Sequence, residues 1–256
     1  QEIKLSHQLP ADAINGKVDY LEVVGFSDHL ATADVWYRLL NLGIHLAAGA
    51  GTDAMANYAS LRGPVGMNRV FINTDSLDKN AVNAKIRAGN SFVSNSALLG
   101  LQVNSQAPGS VLNGKAGETV TVSVSMRSIA PMQKLELVHN GAVIKVFDIS
   151  ADGKRFDASE SLVLRQDGWL LLRAYNDAAQ PDILDIYPYA STNPVYVSGF
   201  GAKPDARADA AYFVRWLDRV IEATEKRHAD FNTETEFQST LEYLRQARGK
   251  YLELGK

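Results

Sequence analysis

Apolar runs and helix-like patterns alternate along the first part of the chain, residues 1–98. Tyr20–Val24 and His45–Ala50 are short apolar runs, which predicts two buried strands. Between them, apolar residues recur at helical spacing and predict a helix capped by Thr32 and ended at Gly43. A strand, a helix and a strand in roughly 30 residues form the βαβ pattern, whose two strands run parallel. This order therefore predicts an α/β fold with a parallel sheet.

The same region continues with elements of both kinds. Apolar runs predict further strands at Asn68–Asn73 and Ser91–Ser94. Between these strands, helical spacing predicts a helix from Asp78 to Ala88, and Gly89 supplies the residue that ends it. The alternation of strands and helices is therefore maintained to the end of this region.

Residues 99–200 follow a different pattern, with short strands and glycine turns. In Val120–Met126, apolar residues alternate with Thr and Ser, which is typical of a strand with one buried face. Further strand-like runs are Leu135–Val138, Ala142–Phe147, Ser161–Leu164 and Trp169–Ala174. The turn dipeptides between them are Asn140-Gly141, Asp152-Gly153 and Asp167-Gly168. Such strands predict an all-β antiparallel sandwich, with Trp169 in the core.

Residues 201–256 carry two amphipathic helical patterns, which predict a C-terminal helical hairpin. The apolar stripe of the first helix contains Phe213, Trp216, Leu217 and Val220. The stripe of the second contains Phe237, Leu241, Leu244 and Tyr251. Thr233 and Glu236 have the spacing of a capping box, which starts the second helix. The apolar faces could pack on each other, on the sandwich, or on a second copy of the chain in a homodimer.

Composition and charge narrow the classes of function. Hydrophobic residues make up 46% and charged residues 21% of the 256 residues, which is typical of a globular protein. The net charge of -3 provides no broad basic surface, so we expect no nucleic-acid partner. The chain has no cysteine, so any metal ligand must come from His, Asp, Glu or water. No apolar run approaches the roughly 20 residues that span a bilayer, so we expect no membrane partner.

Two acidic residues lie where the predicted parallel strands end. Asp53 comes directly after the second strand, behind small residues, and Glu22 lies within the first strand. Active sites of α/β folds form at the carboxyl ends of such strands. Asp53 could therefore be a metal ligand, a general base or a helix N-cap. Glu22 could be a second acid at the same end or could face a polar layer.

A histidine and a polar segment lie on loops at the same end. His29 follows the first strand; a lone histidine in a loop is more often a surface residue, but here it could take part in catalysis. The thirteen residues from Asn57 to Arg69 join the Asp53 loop to the next strand. Within them, Arg62 and Arg69 could hold an anionic substrate or could pair with acids of the loop.

Several segments resemble, in order, the C-terminal part of the PHP-type metallohydrolases (polymerase and histidinol phosphatase), in the branch named for carbaryl hydrolase (CehA/McbA-like). These segments are VDYLEVVGFSDH, VWYRLLNLG, AGTDAMANYASLRGPVGMNRV, IRAGNSFVSN, LELVHNG and DGWLLLRAY. The resemblance implies a distorted (β/α)7 barrel in the first region. It also implies hydrolysis of ester, phosphoester, carbamate or amide-like bonds of a small-molecule substrate by metal-activated water.

The resemblance also implies a site. Asp53 matches the Asp of the family's Asp-x-His motif and is the expected ligand of a divalent Zn, Mn or Fe ion. Met55 stands at the position of the His and is a poor ligand, although Asn57 could contribute an oxygen. Glu22 and His29 are the expected catalytic groups, and Asn57, Arg62 and Arg69 the expected substrate-binding ones.

The family's first metal ligands, a His-x-His pair, have no counterpart in this chain. The resemblance therefore implies the C-terminal part of a longer hydrolase, whose missing partner is the N-terminal half of the barrel. A non-catalytic binding or assembly module and a catalytically dead remnant are the alternatives. Members of the branch are often exported, which would suit a periplasmic or secreted bacterial protein.

Overall fold

Helices and strands are mixed along the chain in the computed structural model, which describes residues 7–55 and 63–256. The helices are α1 (Leu9–Ile14), α2 (His29–Asn41), α3 (Lys79–Arg87), α4 (Arg207–Lys226) and α5 (Glu234–Leu254). The strands are β1 (Tyr20–Val24), β2 (Ala47–Ala50), β3 (Arg69–Ile72), β4 (Ser91–Ser94), β5 (Leu98–Val103), β6 (Val111–Asn113), β7 (Thr119–Arg127), β8 (Lys134–His139), β9 (Ala142–Val146), β10 (Arg155–Val163), β11 (Gly168–Tyr175), β12 (Tyr189–Thr192) and β13 (Val195–Ser198). The mixed helix and strand content that the sequence predicts is therefore confirmed.

The described residues form two compact units. The smaller unit contains the residues up to Asp19, Asn41–Ile44 and Asp205–Lys256. The larger unit contains Tyr20–Leu40 and His45–Pro204. In the larger unit, β3 and β4 belong to the same sheet as β8 and β11, so one sheet joins the first two regions of the sequence.

An eight-stranded sheet forms the middle of the larger unit. Its strands run in the order β3-β4-β12-β11-β13-β6, while β8 pairs with β11 and β9 pairs with β8. All these pairs are antiparallel except β13 with β6. A second sheet contains three antiparallel strands in the order β10-β7-β5. The prediction of antiparallel sheets for residues 99–200 is confirmed.

One hydrophobic core lies between these two sheets. The strand β7 contributes its alternate residues Val120, Val122, Val124 and Met126, all of which are buried. From the facing sheet, β11 contributes Leu170 and Leu172, which are both fully buried. The alternation in Val120–Met126 predicts a strand with one buried face, and the structure confirms it.

A second core covers the opposite face of the eight-stranded sheet. Trp169 and Leu171 of β11 point into it, together with Trp36 of α2 and Val23 of β1. The indole nitrogen of Trp36 donates to the main-chain oxygen of Leu46 at 2.7 Å, so its one polar group is satisfied inside the core. Trp169 is buried, as the sequence predicts, but it packs in this second core and not between the two sheets.

The βαβ unit forms with a parallel strand pair, but its helix starts earlier than the sequence predicts. Strands β1 and β2 are parallel, with Tyr20 opposite Ala47. The helix α2 begins at His29, and the prediction that Thr32 caps it is wrong. The Asp28 carboxylate accepts the main-chain N–H of Ala31 at 2.8 Å and supplies the cap instead.

The smaller unit contains α1 and the predicted C-terminal pair, α4 and α5. The predicted stripe residues are buried, among them Trp216 of α4 and Tyr251 of α5. Tyr251 donates its hydroxyl to the main-chain oxygen of Pro10 in α1 at 2.8 Å. The hydroxyl of Thr233 accepts the N–H of Glu236 at 3.1 Å, which confirms the predicted N-cap of α5.

In residues 7–55 and 63–256, no helix is both long enough and apolar enough to cross a membrane.

Because β11 is buried on both faces, truncation on either face should destabilise the larger unit to a similar degree. We expect Leu171→Ala and Leu172→Ala each to lower the free energy of unfolding by about 2–5 kcal/mol, the usual cost of a cavity at a buried leucine. Urea unfolding of the two variants measures this. Val146→Ala is the control, because Val146 is 57% exposed and should change stability by less than about 0.5 kcal/mol. If Leu171→Ala lowered the free energy of unfolding no more than Val146→Ala does, the burial of Leu171 in the second core would be contradicted.

Candidate functional site

The ends of several strands meet at one edge of the larger unit, which we call the strand-end edge. The N–H of Gly51, just after β2, donates to the main-chain oxygen of Val24 at the end of β1, at 3.0 Å. Asn68, just before β3, donates its side-chain amide to the oxygen of Gly51 at 3.0 Å. Its main-chain N–H donates to the hydroxyl of Thr52 at 3.1 Å. These bonds join the carboxyl ends of β1 and β2 to the start of β3.

The end of β4 lies at the same edge. Arg69 at the start of β3 pairs with Ser94 at the end of β4. The next residue, Asn95, exchanges two hydrogen bonds with Tyr189 at the start of β12. The main-chain N–H of Asn95 donates to the main-chain oxygen of Tyr189 at 3.1 Å, and the N–H of Tyr189 donates to the side-chain oxygen of Asn95 at 2.7 Å. The strand-end edge therefore continues from β1 and β2 across β3 and β4 to β12.

Glu22 places its carboxylate across the ends of β1 and β2. A Cβ atom at Gly25 would come within 2.1 Å of Glu22 Oε1, and one at Gly51 within 2.3 Å of Glu22 Oε2. Both positions therefore need glycine for the carboxylate to lie where it does. Burial raises the pKa of Glu22, and the negative charge of Asp53 raises it further.

Asp53 follows β2 in an exposed, left-handed backbone conformation, with φ of 55°. Aspartate tolerates this region better than most residues with a side chain. Its negative charge raises the pKa of Glu22, and both acids lie at the strand-end edge, on β1 and just after β2. The sequence places both residues at this end, but it does not reveal that the Glu22 side chain lies over two glycines.

His29 is the first residue of α2 and is fully buried. Its Nε2 lies 2.9 Å from Asp185 Oδ2, and the side-chain amide of Asn95 donates to the same oxygen at 2.8 Å. Burial alone would raise the pKa of Asp185, but the hydrogen bonds from His29 and Asn95 outweigh it and hold the pKa below its ordinary value. Asp185 is therefore ionised at neutral pH and only accepts, so His29 donates from Nε2.

A tyrosine secures the start of α2 beside this histidine. The Tyr187 hydroxyl accepts the N–H of Leu30 at 2.9 Å and donates to the Asp28 carboxylate at 3.1 Å. Burial is the largest cause that raises the pKa of Tyr187, to about 12, so the hydroxyl keeps its hydrogen at neutral pH. The side chain of Asp28 is thus hydrogen-bonded to Tyr187, whereas that of His29 is hydrogen-bonded to Asp185.

Asp185, Asn95 and Tyr187 are members of this cluster that sequence reasoning missed. Asp185 lies 156 residues from His29 along the chain, so no local spacing connects them.

The other residues predicted to bind substrate are Arg69, Asn57 and Arg62. Arg69 lies on β3 with its guanidinium carbon 5.6 Å from the centroid of the Phe71 ring. Asn57 and Arg62 lie outside the described residues.

Comparison with models of protein families, with curated proteins and with solved structures finds no match to this chain. Within residues 7–55 and 63–256, no group of three or more His, Asp or Glu side chains is arranged to hold a metal ion. Glu22 and Asp53 could therefore supply only part of a ligand set. The site that the structure offers is two carboxylates on the strand-end edge, with a largely buried His29–Asp185 pair at the start of α2.

The raised pKa of Glu22 makes the stability of the protein depend on pH. The folded state favours the protonated acid, so its stability falls as the pH rises from the ordinary glutamate pKa through the higher pKa of the folded state. We expect Glu22→Gln to remove this loss, so that the variant gains stability relative to the natural protein between pH 4 and pH 7. Urea unfolding across this range measures the difference. Glu253→Gln, at an exposed position of α5, should show no such gain.

Asp185 should have the opposite dependence, because its pKa is lowered. Its ionisation stabilises the fold at neutral pH, and that contribution is lost as the pH falls through the lowered pKa. We expect Asp185→Asn to cost about 1.5–3 kcal/mol at pH 7, the range for hydrogen bonds to charged groups, and less below roughly pH 4. Asp157→Asn, which breaks an exposed ion pair with Arg127, should cost less than about 1 kcal/mol. Equal losses at pH 7 would contradict the role of Asp185.

Proposed function

We propose that the chain is part of a metal-dependent hydrolase and that Glu22 and Asp53 lie in its active site. The observation that carries this proposal is the position of the Glu22 carboxylate, which lies against Gly51 at the ends of β1 and β2, two residues before Asp53. Two like charges held near each other destabilise the site, and a divalent cation bound there would remove that repulsion. The carboxyl ends of parallel strands are also where α/β enzymes place their catalytic groups.

The donor atoms of this pair suit a hard divalent ion such as Mn²⁺, and Zn²⁺ or Fe²⁺ also accept carboxylate ligands. Asp53 would be the ligand, and the further ligands would come from the N-terminal half of the barrel that the resemblance implies. When bound, such an ion lowers the pKa of a water molecule and polarises the bond to be broken. Met55 beside Asp53 would add no useful ligand, since a thioether binds hard ions poorly.

The protein's own residues would handle the proton and position the site. Glu22 is the candidate base, because its raised pKa brings it closer to neutral pH. His29 is fully buried and would act as a positioning residue through Asp185. Tyr187, which stays protonated, fixes the helix start that carries His29.

Within this proposal, β1, α2 and β2 are βα units of a distorted (β/α)7 barrel of the PHP type, in the carbaryl-hydrolase branch. The parallel pairing of β1 with β2 supports it, as does the position of Asp53 directly after β2. Other strands of such a barrel would belong to polypeptide outside this chain. The substrate would be a small molecule with an ester, phosphoester, carbamate or amide-like bond.

Binding of Mn²⁺ to the chain tests the proposal. We expect weak but saturable binding at pH 7.5, because the pair supplies only part of a ligand set. The loss of the free-ion signal in electron paramagnetic resonance measures this binding. Asp53→Asn and Glu22→Gln should each weaken binding at least tenfold, about 1.4 kcal/mol, because each removes one negative oxygen ligand or its neighbouring charge.

Asp75→Asn is the matched control, because this exposed aspartate follows the other end of β3. It should bind Mn²⁺ as the natural chain does. Absence of saturable binding, or binding that Asp53→Asn leaves unchanged, would contradict the proposed site. In a longer form of the protein that hydrolyses an ester, Asp53→Asn should abolish the activity while thermal unfolding stays close to that of the natural protein.

A further inference from the structure

We propose that a groove on the open side of the sandwich binds a neutral saccharide. The groove is a cavity of about 580 Å³ between β3–β4 and the edge of β5–β7. Its volume lies in the range of small-molecule sites, roughly 300–1,000 Å³. It is separate from the strand-end edge, because it includes Phe71 and Asn73 at the far end of β3 and none of Glu22, Asp53 or His29.

One wall of the groove is aromatic. Phe71 and Phe92 face each other across β3 and β4, with ring centroids 4.6 Å apart and planes inclined by 6°. Both rings are only partly buried and both line the groove. The stacked pair therefore gives the groove an apolar aromatic surface, against which the C–H groups that cover one side of a pyranose ring can pack.

The other walls carry neutral hydrogen-bonding groups. The side-chain amide nitrogen of Asn90 donates to the main-chain oxygen of Pro108 at 2.9 Å, which fixes its orientation. Gln102 is exposed at the groove edge, and the hydroxyl of Ser125 lies directly over Gly100, where a Cβ would come within 2.4 Å of it. Amides and hydroxyls both donate and accept, as sugar hydroxyls do.

The absence of charge selects the class of ligand. All the residues that line this groove are uncharged; they include Asn73, Ser91, Ala107, Ser123 and Thr192. An ionic ligand would lose its water without gaining an opposite charge, and a purely apolar one would leave the amides without partners. A saccharide presents C–H groups on one side and hydroxyls on the other, which matches the two kinds of wall.

A peptide strand added to β5 is the competing occupant, and the structure disfavours it. Val103 at the end of β5 exchanges main-chain hydrogen bonds with Gln106, at 3.0 and 2.9 Å. Ala107 and Pro108 then line the groove beside that end. An extended peptide needs a continuous open edge to add a strand, and here the chain itself occupies part of it.

Nuclear magnetic resonance of the ¹⁵N-labelled chain tests the proposal. The probes are cellotetraose, maltotetraose and laminaritetraose, with the acidic tetragalacturonate and the peptide Ac-Val-Thr-Val-Thr-Val-NH₂ for comparison. We expect at least one neutral tetrasaccharide to shift the side-chain amide signals of Asn73, Asn90 and Gln102 with a saturable, millimolar or tighter Kd. Tetragalacturonate and the peptide should leave these signals unchanged.

Two variants assign the binding to the groove. Gln102→Ala and Phe71→Leu should each weaken the saccharide at least fivefold, while Gln166→Ala, at an exposed glutamine outside the groove, should bind as the natural chain does. Gln102 is exposed, so its variant stays informative if Phe71→Leu lowers stability. No shift with any neutral saccharide, shifts caused by the peptide or the acidic sugar, or unchanged affinity of Gln102→Ala would each overturn the proposal. Since Glu22 and Asp53 are not involved, failure here leaves the Mn²⁺ test intact.

Discussion

Burial of β11 on both faces is the constraint on which the larger unit depends. Leu170 and Leu172 enter the core between the two sheets, while Trp169 and Leu171 enter the core beneath α2. A strand buried on both sides can slip by one residue only if it exchanges the two sets of side chains, so its register is strongly fixed. The ion pair of Arg173 with Glu136 of β8, at 2.7 Å and with both side chains mostly buried, fixes the register further, because a slip would leave two buried charges unpaired.

The second core also explains why chemistry could collect at one edge. It packs β1 and α2 against the eight-stranded sheet, so the ends of β1 and β2 come to the same edge as the ends of β3, β4 and β12. This arrangement brings Asp185, from the segment before β12, to the start of α2, and it sets Glu22 near Asp53. The groove lies toward the opposite end of β3, where Phe71 and Phe92 line it together with residues of β5 and β7.

The sequence predicted the elements whose signals are local and missed the contacts that are not. The alternation in Val120–Met126 identifies a strand because successive side chains of a strand point to opposite faces, one buried and one facing water. Thr32 and Asp28 are both residues that cap helices well, so the sequence alone does not locate the start of α2. The fold decides that Asp28 binds an N–H group of the first turn. For the site, sequence position indicates the strand ends near which Glu22 and Asp53 lie. The partner of His29, Asp185, lies in a segment with no motif, and only packing of the second core joins them.

We propose that the acids at the strand-end edge hold a divalent cation. Diffraction from crystals grown with Mn²⁺, collected at the manganese absorption edge, tests this proposal. We expect one anomalous peak within direct coordination distance of an Asp53 carboxylate oxygen and beside Glu22. Manganese bound only elsewhere, with Asp53 engaged solely by groups of its own turn, would contradict it.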